Sequence, residues 1–238
     1  MEIRRAEERG SADFGWLRSK HTFSFGQYRD PRQMGFSDLR VINDDRVEPG
    51  QGFGTHPHQD MEIFSFVLEG GLSHKDSMGT GSTIVPGEVQ MMSAGSGITH
   101  SEFNASTKDL VHFLQIWIAP DRVGVTPRYQ QKHFSDSEKR GRLRLVISPH
   151  GTEGSLSVYQ DVRVYVGCFT GSESADLQLP PGRHAFIHVV KGDIAVNGEK
   201  LRAGDGARIR HASNVHLADG VNAEILIFDL RPNELPCV

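Results

Sequence analysis

Val67-Leu68-Glu69-Gly70 followed by Pro86-Gly87-Glu88 is matched in the second half of the chain by Val189-Val190-Lys191-Gly192 followed by Ala203-Gly204-Asp205. Each set reads as strand, glycine turn, strand, glycine turn, strand, because a short apolar run stops at a residue that accepts a tight turn. The first set carries the longer insertion between its glycines. Outside these sets the 26 Gly and 11 Pro leave few stretches of helical length. Short runs rich in Phe, Val, Ile and Leu predict strands over 62–68, 110–118, 143–147, 185–190 and 223–228. The fold class is therefore all-β, with two tandem copies of one β-barrel. The apolar pattern lapses between Ala119 and Gly141, giving expected bounds of 1–120 for the first domain, 121–141 for a linker and 142–238 for the second domain.

A chain of 238 residues with 37% apolar and 24% charged residues can bury a substantial core. Its formal charge of -4 comes without long single-sign blocks, which argues against a nucleic-acid partner. No run is apolar and long enough to span a bilayer, and residues 1–20 lack the apolar segment of a secretory leader. The expectation is a cytoplasmic monomer. Cys168 and Cys237 are not expected to form a structural disulfide.

The chemistry concentrates in histidines. With 12 His in the chain, one His-x-His pair is close to what chance supplies, so His56-Pro57-His58 alone says little. In a strand, however, residues two apart share a face. His56 and His58 form one such pair, and His100 and Glu102 form another. On neighbouring strands they would aim three imidazoles and a carboxylate at one point. That donor set suits Fe, Ni, Cu or Zn rather than Ca or Mg, and a six-coordinate ion would keep two positions for ligands. The same residues would also serve as polar strand residues at a barrel mouth. Glu62, four positions after His58 and of matching parity, is readable as a ligand or as a support for one. Spacing does not choose between Glu62 and Glu102.

His56-x-His58-x3-Glu62 with Gly70, and Pro86-Gly87 to His100-x3-Asn104, resemble the two motifs of the cupin superfamily. The run His21-Thr22-Phe23-Ser24-Phe25, then Met34-Gly35-Phe36, Leu39 to Asp45, Gly52 to His58 and Met92 to Asn104, is similar to bacterial pirins. The resemblance is nearly continuous over 21–120 and weaker beyond. It implies two cupin (double-stranded β-helix, jelly-roll) barrels, with one divalent transition metal in the first. The implied ligands are His56, His58, His100 and Glu102. Glu62 is then left in a supporting role, a departure from the general cupin pattern. The implied ion is Fe(II), with Ni, Co, Mn, Cu or Zn compatible. In the second copy, the positions corresponding to the His pair are Gln178 and Pro180, and those corresponding to His100 and Glu102 are Leu217 and Asp219. The second barrel is therefore expected to be metal-free.

The resemblance further implies a quercetin 2,3-dioxygenase-type enzyme that opens a flavonol ring with O2 and releases CO, with Glu102 as ligand and catalytic base. Phe53, Met78, Met91, Met92 and Trp117 are candidates to line an apolar pocket, or else barrel core. Two other readings follow from the same family and fold. One is an iron-dependent, redox-responsive protein that binds a regulatory partner protein. The other is a metal-dependent isomerase or hydrolase.

Overall fold

The computed structural model describes residues 1–233. Its strands in chain order are β1 (Glu2–Arg4), β2 (Gly10–Asp13), β3 (Leu17–His21), β4 (Leu39–Val47), β5 (Gly52–His58), β6 (Glu62–Glu69) and β7 (Leu72–Asp76). They continue with β8 (Gly81–Ile84), β9 (Glu88–Ser93), β10 (Ile98–Asn104), β11 (Val111–Ile118), β12 (Arg128–His133) and β13 (Leu143–Ser148). The last are β14 (Leu156–Ser157), β15 (Val162–Phe169), β16 (Ala175–Gln178), β17 (His184–Val196), β18 (Glu199–Arg202), β19 (Gly206–Ile209) and β20 (Asn214–Leu230). All five stretches expected to be strands lie in or match β6, β11, β13, β17 and β20. No helix among the described residues is long and apolar enough to cross a membrane.

The chain forms two compact units. The first, built on Gly10–His133 with Val158–Gln160, has a seven-stranded sheet, β12-β9-β6-β11-β4-β3-β2, and a four-stranded sheet, β5-β10-β7-β8. Within the large sheet β6 is an interior strand, buried on both faces from Glu62 to Val67, which explains why its sequence reads as a nearly unbroken apolar run. Apolar side chains of both sheets, among them Val47, Val67, Leu72, Ile84, Val111 and Phe113, share one core cluster.

The second unit comprises Met1–Arg9, Phe134–Ser157 and residues 161–233. Its sheet runs β1-β19-β17-β20-β15-β13-β14, with β18 and β16 pairing onto the long strands β17 and β20. Three register shifts interrupt the β17–β20 ladder, as expected where long strands bend around a core. Ile187, Val189, Ile225 and Ile227 lie in that core, each 0% exposed.

These units differ from the sequence-derived bounds in three places, one of them Val158–Gln160, which fall in the first unit. The first nine residues join the second unit, because β1 pairs with β19 and the fully buried Asp205 accepts from the Arg5 guanidinium at 2.9 Å and the Ala6 amide at 2.8 Å. The polar stretch after Pro120 is not simply a connector. Its residues Arg128–His133 add β12 to the edge of the first unit, paired with β9, and an edge strand needs little apolar patterning to hold its ladder. Cys168 is a free, half-buried cysteine whose thiol burial pushes up to about 11, while Cys237 lies outside the described residues.

Candidate metal centre

Strand β10 lies between β5 and β7 in the small sheet. On the β5 side His100 is opposite His56, and Ile98 is opposite His58. On the β7 side His100 is opposite Asp76, and Glu102 is opposite His74. Period-2 alternation places His56 and His58 on one face, and pairing places His100 beside them. A bulge between His100 and Glu102 on the β5 side leaves Glu102 opposite Phe53.

The three imidazoles converge. Ring centroids are 4.4 Å apart for His56 and His100, and 4.8 Å for His58 with each of them. His56 Nδ1 is 2.7 Å from the Gly54 carbonyl, which can only accept, so Nδ1 carries the proton and Nε2 keeps its lone pair. That Nε2 lies 2.9 Å from His100 Nε2. Two ligands about 2.1 Å from a common ion and at right angles would stand about 3.0 Å apart. His58 Nε2 is buried with no hydrogen-bond partner, an expensive state for a polar atom without an ion to receive it. Burial first, and then neighbouring His56, pushes His58 down to about 4. Burial and the other histidines hold His100 far below the usual imidazole range. Neutral imidazoles are the form that binds metal.

Glu102 is 1% exposed. Its carboxylate accepts from Gln115 Nε2 at 2.8 Å and Ser65 Oγ at 3.3 Å, and burial pushes it up to about 7 against those two bonds. His56, His58 and His100 form one group of potential ligand atoms lying within 4.8 Å of one another, and His74, His100 and Glu102 form a second. His100 is common to both. Glu62 is equally buried but accepts from Ser93 Oγ at 2.9 Å and from the Tyr159 amide at 3.2 Å. It belongs to neither group.

The family model for pirin matches residues 2–118, and that for the quercetinase C-terminal cupin domain matches residues 145–230. Quercetin 2,3-dioxygenase of Escherichia coli K12 is 48% identical over 97% of this chain and 98% of its own. The chain belongs to the pirin family. A pirin-like protein of Caulobacter vibrioides is 37% identical over 92% of this chain and 95% of its own. The crystal structure of the bacterial pirin YhhW of E. coli, in complex with nickel(II), superposes with a TM-score of 0.93 at 48% identity, covering 97% of this chain and 99% of that one. Two cupin barrels are thus the architecture of this pirin, and its histidine cluster has the donor set of a transition-metal site.

Beside the cluster, Pro57, His58, Gln59, Ser77, Gly97, Ile98 and Thr99 line a groove of about 510 Å³. None of the apolar pocket candidates is among them. Met91 and Met92 are core, each 0% exposed, while Phe53 packs edge-on against Trp16 and Met78 is exposed. Trp117 meets the His58 ring edge-on at 5.0 Å. Sequence reasoning missed His74 and Asp76. Their signal was the same-face parity used for the His pairs: His74 Nε2 lies 3.1 Å from Asp76 Oδ2, with both side chains fully buried. In the second unit, His216 pairs with Asp176 at the surface, at 3.0 Å. Both potential ligand groups found among the described residues lie in the first unit.

Proposed function

We propose that this pirin is a flavonol 2,3-dioxygenase of the quercetinase type, working at one metal per chain held by His56, His58, His100 and Glu102. The observation that carries the reading is the convergence of three imidazoles, with His58 Nε2 buried and unpartnered, beside a buried carboxylate. It is supported by 48% identity over nearly the full chain to a protein named quercetin 2,3-dioxygenase. Fe(II) is the ion the sequence resemblance implies, and Ni(II) is the ion in the E. coli relative's structure. When bound, such an ion supplies Lewis acidity that favours the ionised form of a flavonol's 3-hydroxyl and an electron path to O2.

The chain's own groups supply the rest. His56 is held in the ligating tautomer by the Gly54 carbonyl. Glu102 is the base that takes the 3-hydroxyl proton, and the amide of Gln115 and the hydroxyl of Ser65 hold its two oxygens in place. The groove lined by Pro57, His58, Gly97 and Ile98 is the space beside the cluster for the flavonol, and Trp117 packs edge-to-face with the His58 imidazole. The deciding experiment loads the protein separately with Fe(II) and Ni(II), supplies quercetin and air, and follows CO together with quercetin loss. Stoichiometric CO from either form is the expected result. Full metal occupancy with neither CO nor quercetin loss would refute the assignment.

A further inference from the structure

His100 presents two ring nitrogens to two different partners. Nε2 faces His56 Nε2 at 2.9 Å, and Nδ1 faces His74 Nδ1 at 3.5 Å. Only one of the two can carry the proton in a neutral ring, and a ligating Nε2 requires the proton on Nδ1. Behind His74 stands Asp76. Its Oδ2 lies 3.1 Å from His74 Nε2, and its Oδ1 accepts from the backbone amides of Met78 at 2.9 Å and Thr80 at 3.0 Å. With its acceptor role set by two amides that can only donate, Asp76 places the His74 proton on Nε2. His74 Nδ1 is then an acceptor, and the His100 proton must sit on Nδ1 to meet it.

We propose that Asp76 and His74 are positioning residues that act in series to hold His100 in the tautomer whose Nε2 lone pair points at the metal. The inference deepens the proposed function and rests on its metal centre. β-Pairing builds the relay: Asp76 lies opposite His100 and His74 opposite Glu102 across β7 and β10, so a short stretch of one strand backs the ligands of its neighbour. The ring of Tyr129 packs against His74, tilted by 36°, at a centroid distance of 4.9 Å. His74 is 2% exposed and His100 2% exposed, so water does not compete for the Nδ1–Nδ1 contact. Outer groups of this kind typically change metal affinity about 10 to 100-fold.

Asp76→Asn tests the series because it inverts it. The Asn carbonyl can still accept from the amides of Met78 and Thr80, so the turn is kept, but its amide now donates to His74 Nε2. The His74 proton moves to Nδ1, His100 Nδ1 becomes the acceptor, and the His100 proton moves to Nε2, where it shares the His56 lone pair. Two-bond proton–nitrogen NMR of metal-free, ¹⁵N-histidine-labelled protein reads the tautomer directly, and competition with a chelator reads Ni(II) affinity. The expected result is His100 protonated on Nδ1 in the wild type and on Nε2 in Asp76→Asn, with Ni(II) bound about 10 to 100-fold more weakly by the variant. His74→Phe, which keeps the ring against Tyr129 and deletes the acceptor, is expected to weaken Ni(II) binding to a similar degree. Wild-type His100 protonated on Nε2 would overturn the proposal even if neither variant folds. So would wild-type Ni(II) affinity in both variants. A wild-type protein that takes up no Ni(II) or Fe(II) would instead refute the metal centre, and the relay with it.

Discussion

Glu102→Gln separates a carboxylate that completes the metal site from one that merely lies nearby. The substitution keeps side-chain shape. Because Glu102 is bonded only to the Ser65 hydroxyl, which can rotate, and the Gln115 amide, which can turn over, both partners can re-pair with the new amide. The metal-free variant is therefore expected to fold. What it loses is the one carboxylate donor beside three imidazoles. Removing a group that only orients a ligand costs about 10 to 100-fold in affinity, so loss of the ligand itself is expected to cost at least about 100-fold, or about 2.7 kcal/mol. With Ni(II) at about 100 times the wild-type Kd, the ion stabilises the wild type by about 2.7 kcal/mol and the variant by only about 0.4 kcal/mol. For a chain of this size that is a rise in Tm of about 5–11 °C against about 1–2 °C. Thermal melts with and without Ni(II) measure both, and quercetin turnover at saturating metal tests the base role separately. Glu62→Gln is the control: its carboxylate serves Ser93 and the Tyr159 amide, so it should alter the metal-free melt and leave the Ni(II) shift at the wild-type value. A full Ni(II) shift in Glu102→Gln, with the shift lost in Glu62→Gln, would transfer the ligand role to Glu62 and refute the reasoning.

Elemental analysis of reconstituted protein is expected to give about one metal per chain, since both potential ligand groups among the described residues share His100; two equivalents would place a second site in the other barrel. A Cβ on Gly52 would lie 2.3 Å from the Glu102 carbonyl oxygen and 2.5 Å from Phe103 Cα. These backbone atoms can yield only by moving β10, so Gly52→Ala should cost about 1–3 kcal/mol in urea unfolding and weaken Ni(II) binding, and a wild-type variant would show the strands to be less closely constrained. Asp45, buried beside Ser19, is pushed up to about 7 chiefly by burial, with Asp44 and Glu102 adding to the effect and the Ser19 bond opposing it. Between about pH 4, the unfolded value, and about pH 7 the native state holds a proton that the unfolded chain releases, so stability should fall as pH rises through that window. Asp45→Asn should flatten this slope in metal-free protein and gain on the wild type at pH 8; parallel pH profiles would show that Asp45 is ionised in the fold.

The sequence alone determined what depends on local period. Apolar runs punctuated by glycine marked the strands and the duplicated barrel, and spacing of two put His56 with His58, and His100 with Glu102, on common faces, because a strand's alternation is a property of consecutive residues. Which strands lie side by side is not local. That β10 has β5 on one edge and β7 on the other follows from how two sheets close around a shared core, and only this brings His74 and Asp76, whose spacing of two was equally visible, up against His100. The same holds for the glutamates. Glu62 and Glu102 have matching parity and near-equal burial, yet the register of β6 and β9 ties Glu62 to Ser93 while that of β10 and β7 sets Glu102 opposite His74. The opening residues show the limit most plainly: nothing in Glu2-Ile3-Arg4 says that it pairs with β19 in the second unit, because ladder hydrogen bonds join backbone to backbone and leave little trace in the side chains that make up a sequence.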